Sequence, residues 1–108
     1  MRTSVFHFHG VKDTEIPMDG GESDDGYLYD PVDYTLTTYA DENKCEKNSV
    51  EIATPYDTHN DFIGCVTYEN CDVKLPVTRI TRCNFTGGHG IWPTYAEEMM
   101  LYFLESLD

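Results

Sequence analysis

A chain of 108 residues with 20 acidic and 7 basic side chains, a formal net charge of −13, holds one domain at most or part of one. So acidic a balance leaves no basic patch to release counterions, which argues against nucleic acid and anionic membrane surfaces as partners. The hydrophobic share of 40% and aromatic share of 13% are globular rather than disordered, and no apolar run approaches the length needed to cross a bilayer.

Met1 and Arg2 lead straight into Thr3–Phe8, a β-branched and aromatic run that predicts a strand, with no leader-like segment before it. His9 and Gly10 end it. Val11 to Pro17 reads as a loop carrying Asp13, and Met18 to Gly26 as a polar, glycine-rich loop. A helix is predicted over Asp33 to Asn43, with Asp33 as its cap and Leu36, Tyr39 and Ala40 on one face. Val50–Ala53 and Phe62–Tyr68 read as weaker strands, a small antiparallel excursion. Val77 to Phe85 alternates as a strand should, Val77, Ile80 or Thr81, Cys83 and Phe85 sharing a face.

A glycine-rich loop, Thr86–Pro93, carries His89 and leads into a helix predicted over Thr94 to Leu107. Thr94 would cap that helix and Glu97 complete a capping box. Tyr95, Met99, Phe103 and Leu107 recur at four-residue spacing, flanked by Ala96, Met100 and Leu104, and that stripe is core. The order of elements implies two parallel strands joined by a right-handed crossover, hence an α/β fold. Parallel sheets are buried on both faces and two such strands are too few, so the chain is expected to be the end of a larger domain.

Two functional groups stand just past two strand ends. Asp13 lies five residues beyond Phe8, and His89 four residues beyond Phe85. If those strands are parallel neighbours, both loops leave the same sheet edge. A carboxylate there can accept the Nδ1 proton of the imidazole, fix its tautomer and stabilise the imidazolium while the ring moves a proton. The His7-x-His9 spacing also invites a metal, but Val11 and Lys12 stand where further ligands belong. His7 is instead expected to pack in the strand, His9 to brace the acid loop, and His59 to be solvated.

The segment Phe8–His9–Gly10–Val11–Lys12–Asp13–Thr14–Glu15–Ile16–Pro17 resembles the acid loop of α/β-hydrolases, His-Gly-x-x-Asp-x-x-Val/Ile-Pro. Gly87–Gly88–His89–Gly90–Ile91–Trp92–Pro93 resembles their histidine loop, in the version found in polyhydroxybutyrate depolymerases and type B feruloyl esterases. Met18–Asp19–Gly20–Gly21 and a helix running into Cys45 fit the same group. The resemblance implies that residues 1–108 are the C-terminal part of one α/β-hydrolase domain: its last parallel strands, flanking helices and a disulfide-linked excursion. It implies a secreted serine esterase with Asp13 and His89 as catalytic acid and histidine and no cofactor. Its ester would be a feruloylated or acylated polysaccharide or a polyester, with Trp92 either lining the acyl pocket or packing under the histidine loop.

The serine that this family carries in a Gly-x-Ser-x-Gly elbow is absent from the sequence, and Gly21–Glu22–Ser23–Asp24–Asp25 fails at its last position and lies after the acid loop. The chain alone is therefore expected to be inactive. The rival reading is a non-catalytic, disulfide-stapled α/β module that binds carbohydrate or protein.

Four cysteines, Cys45, Cys65, Cys71 and Cys83, form no zinc-site spacing, and their even number favours disulfides and an oxidising compartment. Three pairings are open, as is a reduced, intracellular state. The family resemblance implies Cys45 with Cys71, leaving Cys65 for Cys83. Asn84–Phe85–Thr86 is a formal glycosylation sequon whose place beside the histidine loop argues against occupancy. Tyr27 and Tyr29 lie in a loop near the acid.

Overall fold

The computed structural model describes residues 4–69, 71, 79–90 and 92–106. They form a mixed α/β fold with eight elements: β1 (Val5–Gly10), β2 (Gly21–Glu22), β3 (Leu28–Tyr29), α1 (Val32–Glu42), β4 (Ser49–Ile52), β5 (Phe62–Tyr68), β6 (Ile80–Phe85) and α2 (Ala96–Glu105). A four-stranded sheet runs in the order β1-β6-β5-β4. Strands β1 and β6 pair parallel from Val5 opposite Ile80 to Gly10 opposite Phe85, so both point their C-terminal ends the same way. The predicted antiparallel excursion forms, β4 pairing with β5, and it is part of the main sheet. Its second strand, β5, joins the other side of β6 antiparallel, and β4 pairs outside it.

Strand β6 lies between β1 and β5 and is covered on both faces by the core. Ile80, Thr81, Cys83, Asn84 and Phe85 are all at most 5% exposed. Successive side chains of a strand point to opposite faces, and the core divides accordingly. Ile80 joins Tyr68 and the α1 residues Val32, Leu36 and Ala40. Cys83 joins Phe62, Cys65, Tyr95 and Met99, with Phe6 and Phe8 of β1 packed on this second cluster. The two helices thus cover opposite faces of one sheet, as in layered α/β folds. Strand β1 is an edge: among the described residues nothing pairs with its outer side.

The predicted helices are present, but neither starts as the sequence led us to expect. Pro31 stands at the N-cap of α1 with no side-chain cap, and Asp33 turns outward to accept from Arg82 Nε at 2.7 Å. The fixed φ of proline suits a helix start, so the cap is dispensable and Asp33 is released for the ion pair. Tyr95 stands at the N-cap of α2, again without a side-chain cap, and the Thr94–Glu97 box is not formed. Burial of the Tyr95 ring sets that entry instead. Tyr95, Met99 and Phe103 are buried as their spacing predicts, whereas Met100 and Leu104 are 40% and 56% exposed. The stripe is narrower than read, because α2 covers one face of a single sheet. Within the loop predicted from Met18, β2 and β3 form a two-residue antiparallel ladder closed by a turn in which Gly26 N–H donates to Ser23 O at 3.0 Å. Parts of the predicted elements, at Thr3, Val77, Thr78 and Leu107, lie outside the described residues.

Both disulfides, Cys45–Cys71 and Cys65–Cys83, are formed, which indicates an oxidising environment. Cys65 and Cys83 face each other directly across β5 and β6. Cys45 follows the last turn of α1, where its N–H donates to Ala40 O at 2.9 Å and Lys44 takes a left-handed φ of 57°. That bend carries the chain back to Cys71 beyond the end of β5.

Candidate functional site

The acid loop and the histidine loop leave adjacent parallel strands at one sheet edge and are stitched together by backbone. Val11 N–H donates to Phe85 O at 2.9 Å and Lys12 N–H to Gly87 O at 3.0 Å. This approach requires glycine at position 10. A Cβ there would overlap the Gly87 carbonyl oxygen, at 2.8 Å from its carbon and 2.9 Å from Gly88 O. Among the three glycines around His89, only Gly90 takes a positive φ, of 74°, which turns the chain away from the sheet.

Asp13 is 8% exposed and saturated with donors. Its Oδ1 accepts from the backbone N–H groups of Glu15 at 2.9 Å and Ile16 at 2.8 Å, an Asx turn that aims the carboxylate. Its Oδ2 stands 2.9 Å from Nδ1 of His89, 76 residues along the chain. Burial pushes the Asp13 carboxyl up, but hydrogen bonds from the Ile16 backbone, the His89 ring and the Glu15 backbone outweigh it and hold it below its ordinary range. The hydrogen bond with Asp13 raises His89 against a smaller desolvation effect, and the charges of Asp13 and Glu15 add to it.

His9 braces this arrangement, as expected. It is 6% exposed, and its Nε2 donates to Ile16 O at 2.7 Å while lying 3.4 Å from Asp13 Oδ2. Its Nδ1 lies 2.9 Å from His7 Nε2, so the two rings share one hydrogen bond. Burial, then His9 and Arg82, lower the His7 pKa, in keeping with a neutral ring. Asn84, legible in the sequence only as a sequon, is 3% exposed and donates from Nδ2 to His9 O at 2.9 Å. Its own Oδ1 accepts from Arg82. It locks the end of β1, and its amide nitrogen is committed inside the fold.

A cavity of about 350 Å³ opens beside the pair, lined by Phe8, His9, Asp13, Ile16, His89 and Trp92 among others. Trp92, 53% exposed, lines this cavity and meets the Phe8 ring of β1 edge-on at 5.8 Å. Tyr27 and Tyr29 are outside that lining and exposed on the hairpin, which Asp24 Oδ2 ties to the Thr14 hydroxyl at 2.6 Å. His59 is exposed but not merely solvated, since its ring stacks on Tyr95 at 4.3 Å. Among the described residues, no group of three or more His, Cys, Asp or Glu side chains is arranged to hold a metal ion.

The one group near the imidazole that sequence reasoning missed is Glu15, whose Oε2 lies 3.2 Å from Nε2 of His89. A single acidic residue in a loop gives no signal of this. Chemically, the Asp13 carboxylate can hold Nδ1–H of His89 and fix the ring, with Nε2 turned toward Glu15. Comparison of the chain with models of known protein families, with curated proteins and with solved structures gives no match to any of them.

Proposed function

We propose that the chain is the C-terminal part of a serine-type carboxylic-ester hydrolase, secreted into an oxidising medium, with Asp13 as the acid and His89 as the general base. The observation that carries this reading is the 2.9 Å contact between Asp13 Oδ2 and His89 Nδ1, made at neighbouring parallel strand ends. The motif resemblance of both loops supports it, and so does the outer side of β1, which has no strand partner among the described residues and where a further parallel strand would fit.

In this reading the nucleophile comes from a segment outside the 108 residues. His89 Nε2 takes the serine proton as its oxygen attacks the ester carbonyl, then hands that proton to the departing alkoxide. A water molecule, deprotonated by the same nitrogen, then attacks the acyl carbonyl, and His89 returns that proton to the serine oxygen as the acyl–enzyme bond breaks. Asp13 stays ionised throughout and stabilises the imidazolium. The substrate would be an acylated or feruloylated polysaccharide or a polyester, with Trp92 beside the acyl group.

The test joins the chain to the coding sequence upstream of Met1, sought for a Gly-x-Ser-x-Gly elbow, and measures ester hydrolysis. His89→Ala is expected to cost on the order of a millionfold in kcat and Asp13→Asn on the order of ten-thousandfold. Full activity in both variants would remove these roles. The rival reading, a binding module, draws on Tyr27 and Leu28, 67% and 82% exposed at the hairpin. It predicts carbohydrate or protein binding that Tyr27→Ala abolishes and Asp13→Asn leaves intact.

A further inference from the structure

The contact between Glu15 and His89 has a proton requirement. A neutral His89 whose proton sits on Nδ1, facing Asp13, presents a lone pair at Nε2. A carboxylate oxygen 3.2 Å from that nitrogen would be repelled. The contact therefore suits the imidazolium, which donates from Nδ1 to Asp13 and pairs its charge with the Glu15 carboxylate beside Nε2. In that form the ring has no lone pair and cannot accept a proton from anything.

We propose that Glu15 is a carboxylate plug on His89, closing its outward nitrogen in the resting chain and swinging off before a hydroxyl nucleophile can use it. This rests on the reading of His89 as the base and adds a regulation to that site. The plug is built to move. Its backbone N–H is anchored on Asp13 Oδ1 at 2.9 Å, while its side chain is 59% exposed, so rotation about its own bonds frees the carboxylate without disturbing the acid loop.

The groups facing the ring are few. Asp13 and Glu15 come from the acid loop. From β1, His9 stands behind Asp13 at 3.4 Å and His7 behind His9 at 2.9 Å. The histidine loop contributes Gly88, Gly90 and Trp92 to the surrounding cavity, none of them charged. Lys12 is exposed on the same acid loop and is kept in every variant below. Loss of the Nε2 proton as pH rises removes the reason for contact, so the plug opens on the alkaline side of the His89 titration.

The experiment follows the His89 ring carbon resonances through a pH titration of the 108-residue chain and needs no ester. E15Q is expected to weaken the proton affinity of His89 by about two- to fivefold, the range for an exposed ion pair. E15D keeps the charge but shortens its reach, and is expected to follow E15Q. Added salt should shrink the difference between wild type and E15Q. Superimposable titrations of wild type and E15Q would overturn the plug, as would an E15D that keeps the wild-type affinity, since charge without contact would then suffice. D13N reports separately on the Asp13–His89 pair: an unchanged D13N titration overturns the proposed function, while the comparison of the Glu15 variants stands by itself.

Discussion

The sheet has two halves held together by different physics. On one side of β6, the antiparallel strands β5 and β4 are stapled: Cys65–Cys83 crosses the ladder and Cys45–Cys71 ties α1 to the end of β5. On the other side, β1 and β6 carry the Asp13–His89 pair with no covalent link between them. Their loops are held by backbone hydrogen bonds, by the close approach at Gly10 and by a chain of polar side chains, the half-buried His7 and the buried His9 and Asn84. The covalent staples and the candidate site are thus segregated. The stapled half answers to redox conditions, and the half bearing the titrating groups answers to pH and to the loss of single atoms.

The sharpest way to break that division is to remove a staple. Replacing Cys65 and Cys83 together by Ala frees a loop with an 18-residue separation. The expected cost is about 3 kcal/mol in the chain-entropy account, read by urea denaturation. The change of stability with pH should be the same as in wild type, because no titrating partner of the site is touched. A second, smaller effect belongs to the other half. Gly10→Ala drives a methyl group into the Gly87 carbonyl, at an expected cost of about 1–3 kcal/mol for overpacking. Unlike the cysteine variant, it should also flatten the pH dependence, since the two loops must part.

That pH dependence has a definite sign. Asp13 has its folded pKa depressed, so its contribution is present above the unfolded value of 3.8 and is lost as pH falls through the folded value. His89 has its folded pKa raised, so its contribution is complete below the unfolded 6.5 and is lost as pH rises through the folded value. The pair is fully expressed only between those limits. Thermal melts of Asp13→Asn across pH should lose both flanks relative to wild type, and flanks that persist would place the dependence elsewhere. The smallest effect is expected at Asp33, 50% exposed opposite Arg82. Asp33→Ala should cost less than about 1 kcal/mol in the same denaturation assay and leave both halves otherwise alike.

What could be read from the residues follows the same division between local and distant causes. The meeting of the two loops was legible because Asp13 and His89 each stand in a short motif just past a strand end, and β5 because Phe62 to Tyr68 is bounded by turn residues on either side. The joining of the excursion to β6 was not, because strand pairing is decided by which surfaces meet rather than by local pattern. The helix starts were misread for a related reason. Asp33 finds Arg82 and Tyr95 finds the core, and both partners are remote in sequence. Glu15 and Asn84 escaped notice because their partners lie 74 and 75 residues away. The β2–β3 hairpin escaped because two-residue strands are shorter than any alternation that could announce them.

The central claim, that Asp13 fixes the orientation and tautomer of His89, is tested most directly by nitrogen NMR of histidine-labelled chain above the His89 titration. The account predicts a neutral His89 ring with its proton on Nδ1, an assignment lost in Asp13→Asn. A neutral His89 carrying its proton on Nε2 in the wild-type chain would contradict it.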